Sequence, residues 1–413
     1  MPEETFVIAG ASLAGAKAAE KLREEGFAGR IVLIGEEKRR PYERPPLTKG
    51  FLTGNDPLDQ AYVHEESWYG DNRVELRLGE AVTAIDRANH EVRLAGGERI
   101  GYTRLLLTTG ASPRRLDVPG ARQDHVHHIR SADDSERLRA ALISGDRRVV
   151  VVGAGWIGLE AAAAARGYGN DVHVVEPEAT PLHRVLGPEL GQVFGAVHRR
   201  QGVEFTLGDG VAEITETSVL TNSGVELPAD VVIVGIGAVP NTALAEEAGL
   251  EVDNGVLVDA ALRTSDPDIF AAGDVANAQH PLLGRRIRVE HWANALNGGP
   301  AAARSMLGHD VAFDQVPYFY TDQFELGMEA SGDWAGDYDE VVYRGKDPSA
   351  YVSGDSDDLE FIAFWLSGGR VVGGMNVNVW DVTGDIQALI RSGEPVDKAR
   401  LADPDVPLSD LAT

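Results

Sequence analysis

Short, continuously apolar runs recur along the chain, each closed by glycine and followed by a stretch of helical spacing. The first is TFVIA, Thr5 to Ala9, leading into Gly10-Ala11-Ser12-Leu13-Ala14-Gly15, a helical pattern ending at Gly26, and a second apolar run, RIVLIGEE. The order is strand, turn, helix, strand. It returns in RRVVVVG, where Gly153, Gly155 and Gly158 precede an alanine-rich helix and the run DVHVVEPE. Each copy is echoed by a later segment of strand plus small-residue turn: RLLLTTGASPRRL, with Thr108, Thr109 and Gly110, after the first, and DVVIVGIGAVPNT, with Gly235 and Gly237, after the second. This repetition predicts an α/β fold with two doubly wound, Rossmann-like units.

From about Pro317 the texture becomes alternating strands, YFYTDQFELGMEA and YDEVVYRG, then a hairpin-like LEFIAFWLSGGRVVGGMNVNV turning at Ser367-Gly368-Gly369. A helix over roughly 382–392 follows, and the tail DPDVPLSDLAT reads as loop. This last region has no phosphate loop and reads as a C-terminal α+β capping or interface domain. The expected boundaries are 1–113 plus 240–316 for the first dinucleotide-binding domain, 114–239 for the second and 317–413 for the third.

The chain's length of 413 residues fits two or three such domains. Composition narrows the chemistry. There is no cysteine, which removes disulfide frameworks, thiolate metal sites, CxxC redox pairs and flavin linkage through sulfur, so electron chemistry requires a bound cofactor. The net charge of −27 argues against nucleic acid and against anionic membrane surfaces. No apolar run approaches membrane-helix length and the N-terminus enters a strand without a leader, so a cytoplasmic location is expected.

The first turn is G-x-G-x-x-G with Ser12 in the middle slot, small enough to let backbone approach a pyrophosphate at the helix N-terminus, and Glu36 is the acid expected about 20 residues on for the ribose. The second turn is strict, its helix opens at Trp156 and Ile157, and its strand ends at Glu176. A carboxylate there accepts both ribose hydroxyls of NAD and repels the 2′-phosphate of NADP; Glu178 follows, and no arginine sits there to pair with that phosphate. NADH is therefore favoured, with FAD at the first turn, since hydride exchange needs a held acceptor and an exchanging donor. In DPDIFAAGDVA, Asp274 is placed to bond a ribityl hydroxyl or a pyrophosphate-bound water, or else to cap a helix. The histidines of DHVHHIR, His125, His127 and His128, do not form a metal-ligand pattern, and no metal is expected.

With these residues in view, the chain resembles, along essentially its whole length, the FAD-dependent ferredoxin reductases of cytochrome P450 and dioxygenase systems, a glutathione-reductase-like group. PYERPPLTKGFL is similar to the family's Arg-Pro-Pro-Leu-Ser/Thr-Lys segment, which implies Arg44 and Lys49 along the flavin and Glu160 as partner of Lys49. VEHWANA resembles the segment whose helix N-terminus faces the flavin pyrimidine, implying backbone contact at Trp292. PYFYTDQFE is similar to the segment closing over the isoalloxazine, with Tyr320 where the family usually has tryptophan. The resemblance further implies FAD contacts by Ala14, Val82 and Arg130, and an Arg184 near the nicotinamide half of NADH.

The resemblance implies electron flow from NADH through tightly bound FAD to an iron–sulfur ferredoxin, [2Fe–2S] in type, which feeds a P450 or Rieske oxygenase, from a monomer or weak homodimer. Such ferredoxins are generally acidic, and this chain is too; the local basic candidates for docking are Arg285, Arg286, Arg288 and Arg304. Two alternatives stay open: an NADH oxidase or small-acceptor reductase, and a redox-sensing flavoprotein resembling apoptosis-inducing factors.

Overall fold

The computed structural model describes residues 4–334 and 338–411. The chain divides into two compact units, one of Met1–Arg44, Leu58–Ser112 and Ala238–Pro317, the other of Pro45–Pro57, Pro113–Gly237 and Tyr318–Thr413.

The first unit is built on a five-stranded sheet in the order Ile269–Ala271, Arg104–Leu107, Thr5–Ala9, Arg30–Gly35, Val74–Leu78, every pair parallel. Parallel strands covered by helices are buried on both faces, which is why Phe6 to Ala9 and Ile31 to Ile34 are apolar at consecutive positions. The helix Leu13–Glu24 leaves the first strand through the glycine turn and meets the helix Trp292–Met306 at very short range. A Cβ on Gly299 would stand 2.1 Å from the Ala14 carbonyl oxygen, so only glycine permits this approach. The unit also carries a small antiparallel sheet starting at Val82–Asp86 and a small mixed one, in which Ala276–His280 pairs parallel with Val256–Val258 and antiparallel with Arg285–Arg288.

The second unit repeats the plan. Its parallel sheet runs Glu204–Leu207, Asp171–Glu176, Arg148–Val152, Val231–Val234, Val126–His127. In both sheets the first strand of the glycine turn lies at the centre with its successors stacked on one side and the late closing strand on the other. That reversal of order leaves a crevice at the carboxyl ends of the strands.

The same unit carries the C-terminal antiparallel sheet Tyr318–Gln323, Leu326–Gly332, Arg370–Val377, Phe361–Ser367, Glu340–Gly345. Its hairpin turns at Gly368 and Gly369, both with positive φ, as the two-residue turn joining twisted strands demands. The helix Thr383–Ser392 packs Ile386 and Ile390 over glycines of this sheet. The tail differs from the loop expected for it: Leu408–Leu411 winds into a 3₁₀ turn because Leu408 is buried as an apolar anchor. No helix among the described residues is long and apolar enough to cross a membrane.

Candidate active site

In the first unit the turn is shaped by two close approaches. Gly10 adopts φ +128°, and a Cβ there would fall 2.1 Å from the Thr108 carbonyl oxygen, while one on Gly15 would fall 2.1 Å from the Gly10 oxygen. Thr108 also donates its hydroxyl to that Gly10 oxygen at 2.8 Å, tying the closing strand to the turn. Ser12 caps the helix in extended conformation without a side-chain hydrogen bond to the backbone, and the first helical bond is Ala16 N to Ser12 O. The amides of Leu13, Ala14 and Gly15 therefore lie ahead of the hydrogen-bond ladder, where an anion is the fitting partner. No acidic residue occupies that first turn.

The first unit carries most of the residues expected to contact FAD. Glu36 is exposed just past its strand, whereas Glu37 accepts from Arg44 at 2.9 Å and from the Tyr42 hydroxyl. Asp274 sits in the 3₁₀ turn Gly273–Val275, where Gly273 at φ +76° brings a Cβ position within 3.3 Å of Ala14. Burial lowers the His291 imidazole below its ordinary value and the Asp274 carboxylate opposes the shift, which puts Asp274 beside the N-terminus of the helix beginning at Trp292. Thr109 and Asn241 exchange hydrogen bonds of 3.0 and 2.8 Å next to Gly110, and Val82 opens its strand.

In the second unit the strict turn has the same skeleton. Gly153 at φ +98° abuts the Gly235 oxygen, and a Cβ on Gly158 would lie 2.0 Å from the Gly153 oxygen. At Gly155 the nearest atom to a Cβ is 4.0 Å away, so the middle slot opens onto space rather than protein. This is the cradle a dinucleotide pyrophosphate fits. Gly237, at φ +95°, ends the closing segment, and its carbonyl accepts from Arg114 N at 2.9 Å.

Glu176 closes over this turn. Its Oε2 accepts from Ala154 N at 2.6 Å and its Oε1 from Glu178 N at 3.0 Å, which fixes the carboxylate at the strand end. Glu178 pairs with Arg184 at 2.7 Å, placing that exposed guanidinium beside the Glu176 loop. Ile157 is exposed at the helix start, while Trp156 turns inward against Phe194 and Phe319.

The same helix, Trp156–Gly167, buries Glu160 to 4 % exposure, and four side chains meet there. Lys49 Nζ lies 2.6 Å from Glu160 Oε1. Thr321 donates to that same oxygen at 2.6 Å, and Thr48 donates to Oε2. A buried carboxylate is tolerated when its lone pairs are filled in this way. Lys49 Nζ is also 5.3 Å from the centre of the Tyr320 ring. Arg130 precedes the helix Ala132–Leu142, which Ser135 fastens to Leu47 with a 2.8 Å bond. Lys49, Arg130 and Tyr320 thus belong to the second unit, and the other expected FAD residues to the first.

Thr48 and Thr321 were not singled out from the sequence. The available signal was adjacency, since each is one position from Lys49 or Tyr320 and Thr321 alternates with Tyr320 across a strand. The four arginines considered for docking lie in the first unit. Arg288 pairs with Glu290, Arg304 is 3.5 Å from Glu25, and Arg286 donates to the Val258 and Asn277 carbonyls; Arg285 and Arg286 are exposed. Among the described residues no cluster of metal-ligating side chains occurs.

Residues 4–299 match the pyridine nucleotide-disulphide oxidoreductase family and residues 318–412 the reductase C-terminal family. The chain is 39 % identical over 414 residues, 99 % of both lengths, to the ferredoxin--NAD(+) reductase component of the anthranilate 1,2-dioxygenase system of Burkholderia cepacia. It belongs to the ferredoxin–NAD(+) reductases. Rhodocoxin reductase of Rhodococcus erythropolis is 38 % identical over 91 % of the chain and 86 % of its own length. The reductase in the covalent putidaredoxin reductase–putidaredoxin complex superposes with a TM-score of 0.92 at 35 % identity, over 98 % of this chain and 97 % of that one. The protein is accordingly an oxidoreductase dependent on FAD and NAD(H). Without cysteine, its acceptor is not a disulfide of its own.

Proposed function

We propose that the reductase passes electrons from NADH to a [2Fe–2S] ferredoxin serving a P450 or Rieske oxygenase, as a cytoplasmic monomer or weak homodimer. The observation that carries the reading is the buried Glu160 carboxylate filled by Lys49, Thr321 and Thr48, in the helix that also opens the second dinucleotide turn. FAD, when bound, supplies two-electron acceptance and one-electron release.

The chain's own residues bind and orient. Uncapped amides behind Gly10 and Ser12 receive one pyrophosphate, with Glu36 on the ribose and Ala14, Gly15, Arg44, Val82, Thr109, Gly110, Arg130, Asp274, Trp292 and Tyr320 completing the FAD contacts. Gly153, Gly155, Trp156, Ile157, Gly158 and Gly237 receive the other dinucleotide, and Arg184 lies on its path. Glu176 selects NAD over NADP by accepting ribose hydroxyls and repelling a 2′-phosphate. Lys49 brings a cation to the flavin, and Glu160 fixes its direction. Hydride transfer needs no side chain as acid or base.

Arg285 and Arg286 are exposed and offer positive charge to an acidic ferredoxin, with Arg288, which pairs with Glu290, on the same strand and Arg304, which pairs with Glu25, on the helix that follows. A net charge of −27 makes that encounter unfavourable at long range, so added salt is expected to help binding until it screens the local contact.

The deciding experiment is NADH oxidation with and without a [2Fe–2S] ferredoxin plus cytochrome c, with NADPH controls. A large ferredoxin-dependent rate with NADH supports the reading; equal NADH consumption without ferredoxin points to an oxidase, and slow flavin reduction to a sensor. Replacing Arg285 and Arg286 by Ala should weaken ferredoxin-dependent turnover alone.

A further inference from the structure

His198 is tied to Lys49 by an unbroken series of hydrogen bonds. The imidazole lies in the helix His183–Arg200 with 0 % exposure, and its Nε2 is 2.9 Å from Gln323 Oε1. Gln323 Nε2 donates to Thr321 Oγ1 at 3.1 Å, Thr321 donates to Glu160 Oε1 at 2.6 Å, and that oxygen also accepts from Lys49 at 2.6 Å. Thr321 and Gln323 share one face of the strand Tyr318–Gln323, which is how one strand reaches both ends.

From His198 to Glu160 every bond runs the same way, and Lys49 donates into the carboxylate from the other side. A hydroxyl has one proton, and Thr321 gives it to Glu160, so Thr321 must accept from the Gln323 amide NH₂. The Gln323 carbonyl is then turned to His198, whose proton must sit on Nε2. One carboxylate thereby sets an amide orientation two links away and a tautomer three links away.

Packing alone does not explain a histidine at this position. His198 Nδ1 is buried without a hydrogen-bond partner, and the ring is edged by Phe205 and Phe324. An unsatisfied buried polar atom is destabilising, so an apolar side chain would suit the pocket better. Burial also pushes the imidazole down to about 4, keeping it neutral and its tautomer defined.

We propose that His198 and Gln323 are positioning residues for the Lys49–Glu160 pair: the imidazole locks the Gln323 amide, and the locked amide keeps the Thr321 hydroxyl on Glu160. Without the lock the amide turns, Thr321 donates to the Gln323 carbonyl, and Glu160 Oε1 loses one of its two donors, so the carboxylate holds the Lys49 charge more strongly. The inference rests on the reading of Lys49 and Glu160 as the pair that orients charge at the flavin.

The test is stopped-flow reduction of the FAD-loaded enzyme by NADH, with the flavin midpoint potential measured alongside. His198→Leu and Gln323→Met should each slow the limiting reduction rate by roughly three- to tenfold, the range expected for a weakened hydrogen bond to a charged group, with the NADH dissociation constant unchanged. His198→Gln, which keeps a donor at the Nε2 position, should restore the rate. The His198→Leu/Gln323→Met double variant should be no slower than Gln323→Met, because the residues act in series.

Lys49→Met separates the two levels. If it leaves reduction unaltered, the reading of the pair fails; if it slows reduction while His198→Leu does not, the inference alone is overturned. Should the variants lose FAD, ring ¹⁵N shifts of the native protein decide: a single Nε2–H tautomer that moves on flavin reduction supports the series, and an Nδ1–H tautomer or an unmoved signal overturns it.

Discussion

Acid should unfold this reductase partly through His198, and the size of that effect follows from burial. The ring has no exposure, and among the described residues its hydrogen bond is to neutral Gln323 and the charge favouring protonation is Glu325, so its pKa falls from 6.5 to about 4. A histidine depressed in the folded state binds its proton first in the unfolded chain. Stability is then complete above pH 6.5 and is lost as pH falls toward about 4. Between pH 7 and pH 5 the linkage amounts to about 2 kcal/mol for this one residue. His198→Gln keeps the donor to Gln323 and removes the titration. Melting curves of the FAD-loaded wild type and variant across pH 5–7.5 should therefore diverge on acidification, the wild type losing roughly 4–8 °C more, at about 2–4 °C per kcal/mol for units of this size. Parallel curves would refute the assignment of a neutral, buried imidazole, and a wild type that gains stability on acidification would reverse its sign.

Two further substitutions probe the second dinucleotide turn. Gly155→Ala places its Cβ in open space, so folding and FAD content should be preserved while the KM for NADH rises about tenfold or more, whereas Gly158→Ala forces a Cβ to within 2.0 Å of the Gly153 oxygen and should destabilise by several kcal/mol, on the order of other overpacked backbone contacts; melting temperature and NADH titration distinguish them. Glu176→Ala removes both the ribose acceptor and the repulsion of a 2′-phosphate, so the ratio of NADH to NADPH efficiency should fall by about tenfold or more in steady-state kinetics, and an unchanged ratio would mean that the Ala154 and Glu178 amides are its sole business.

Much of the architecture was legible because its signals are local. Apolar runs such as Val149 to Val152 are apolar at every position since both faces of a parallel sheet are covered, and Gly10, Gly153 and Gly158 stand where backbone meets backbone. The tail was less legible: Leu408 has no periodic neighbours, and its turn exists because a distant surface gives it a place to bury. Arg288 and Arg304 read as free positive charge in the sequence, and the fold pairs them with Glu290 and Glu25.

Sequence by itself determined the two glycine turns, the acids Glu36 and Glu176 at the ends of their strands, the absence of thiol chemistry and the change to a strand-rich C-terminal region with a hairpin, because each rests on residue type at short spacing. Tertiary structure alone decided who surrounds Glu160. Thr48 ends the 3₁₀ turn Pro45–Thr48 and Lys49 caps the helix after it, Thr321 comes from a strand 161 positions along the chain from Glu160, and His198 from a helix that reaches the cluster through Gln323. A hydrogen bond depends on distance in space and on which atom holds the proton, and neither has a counterpart in the spacing of a sequence.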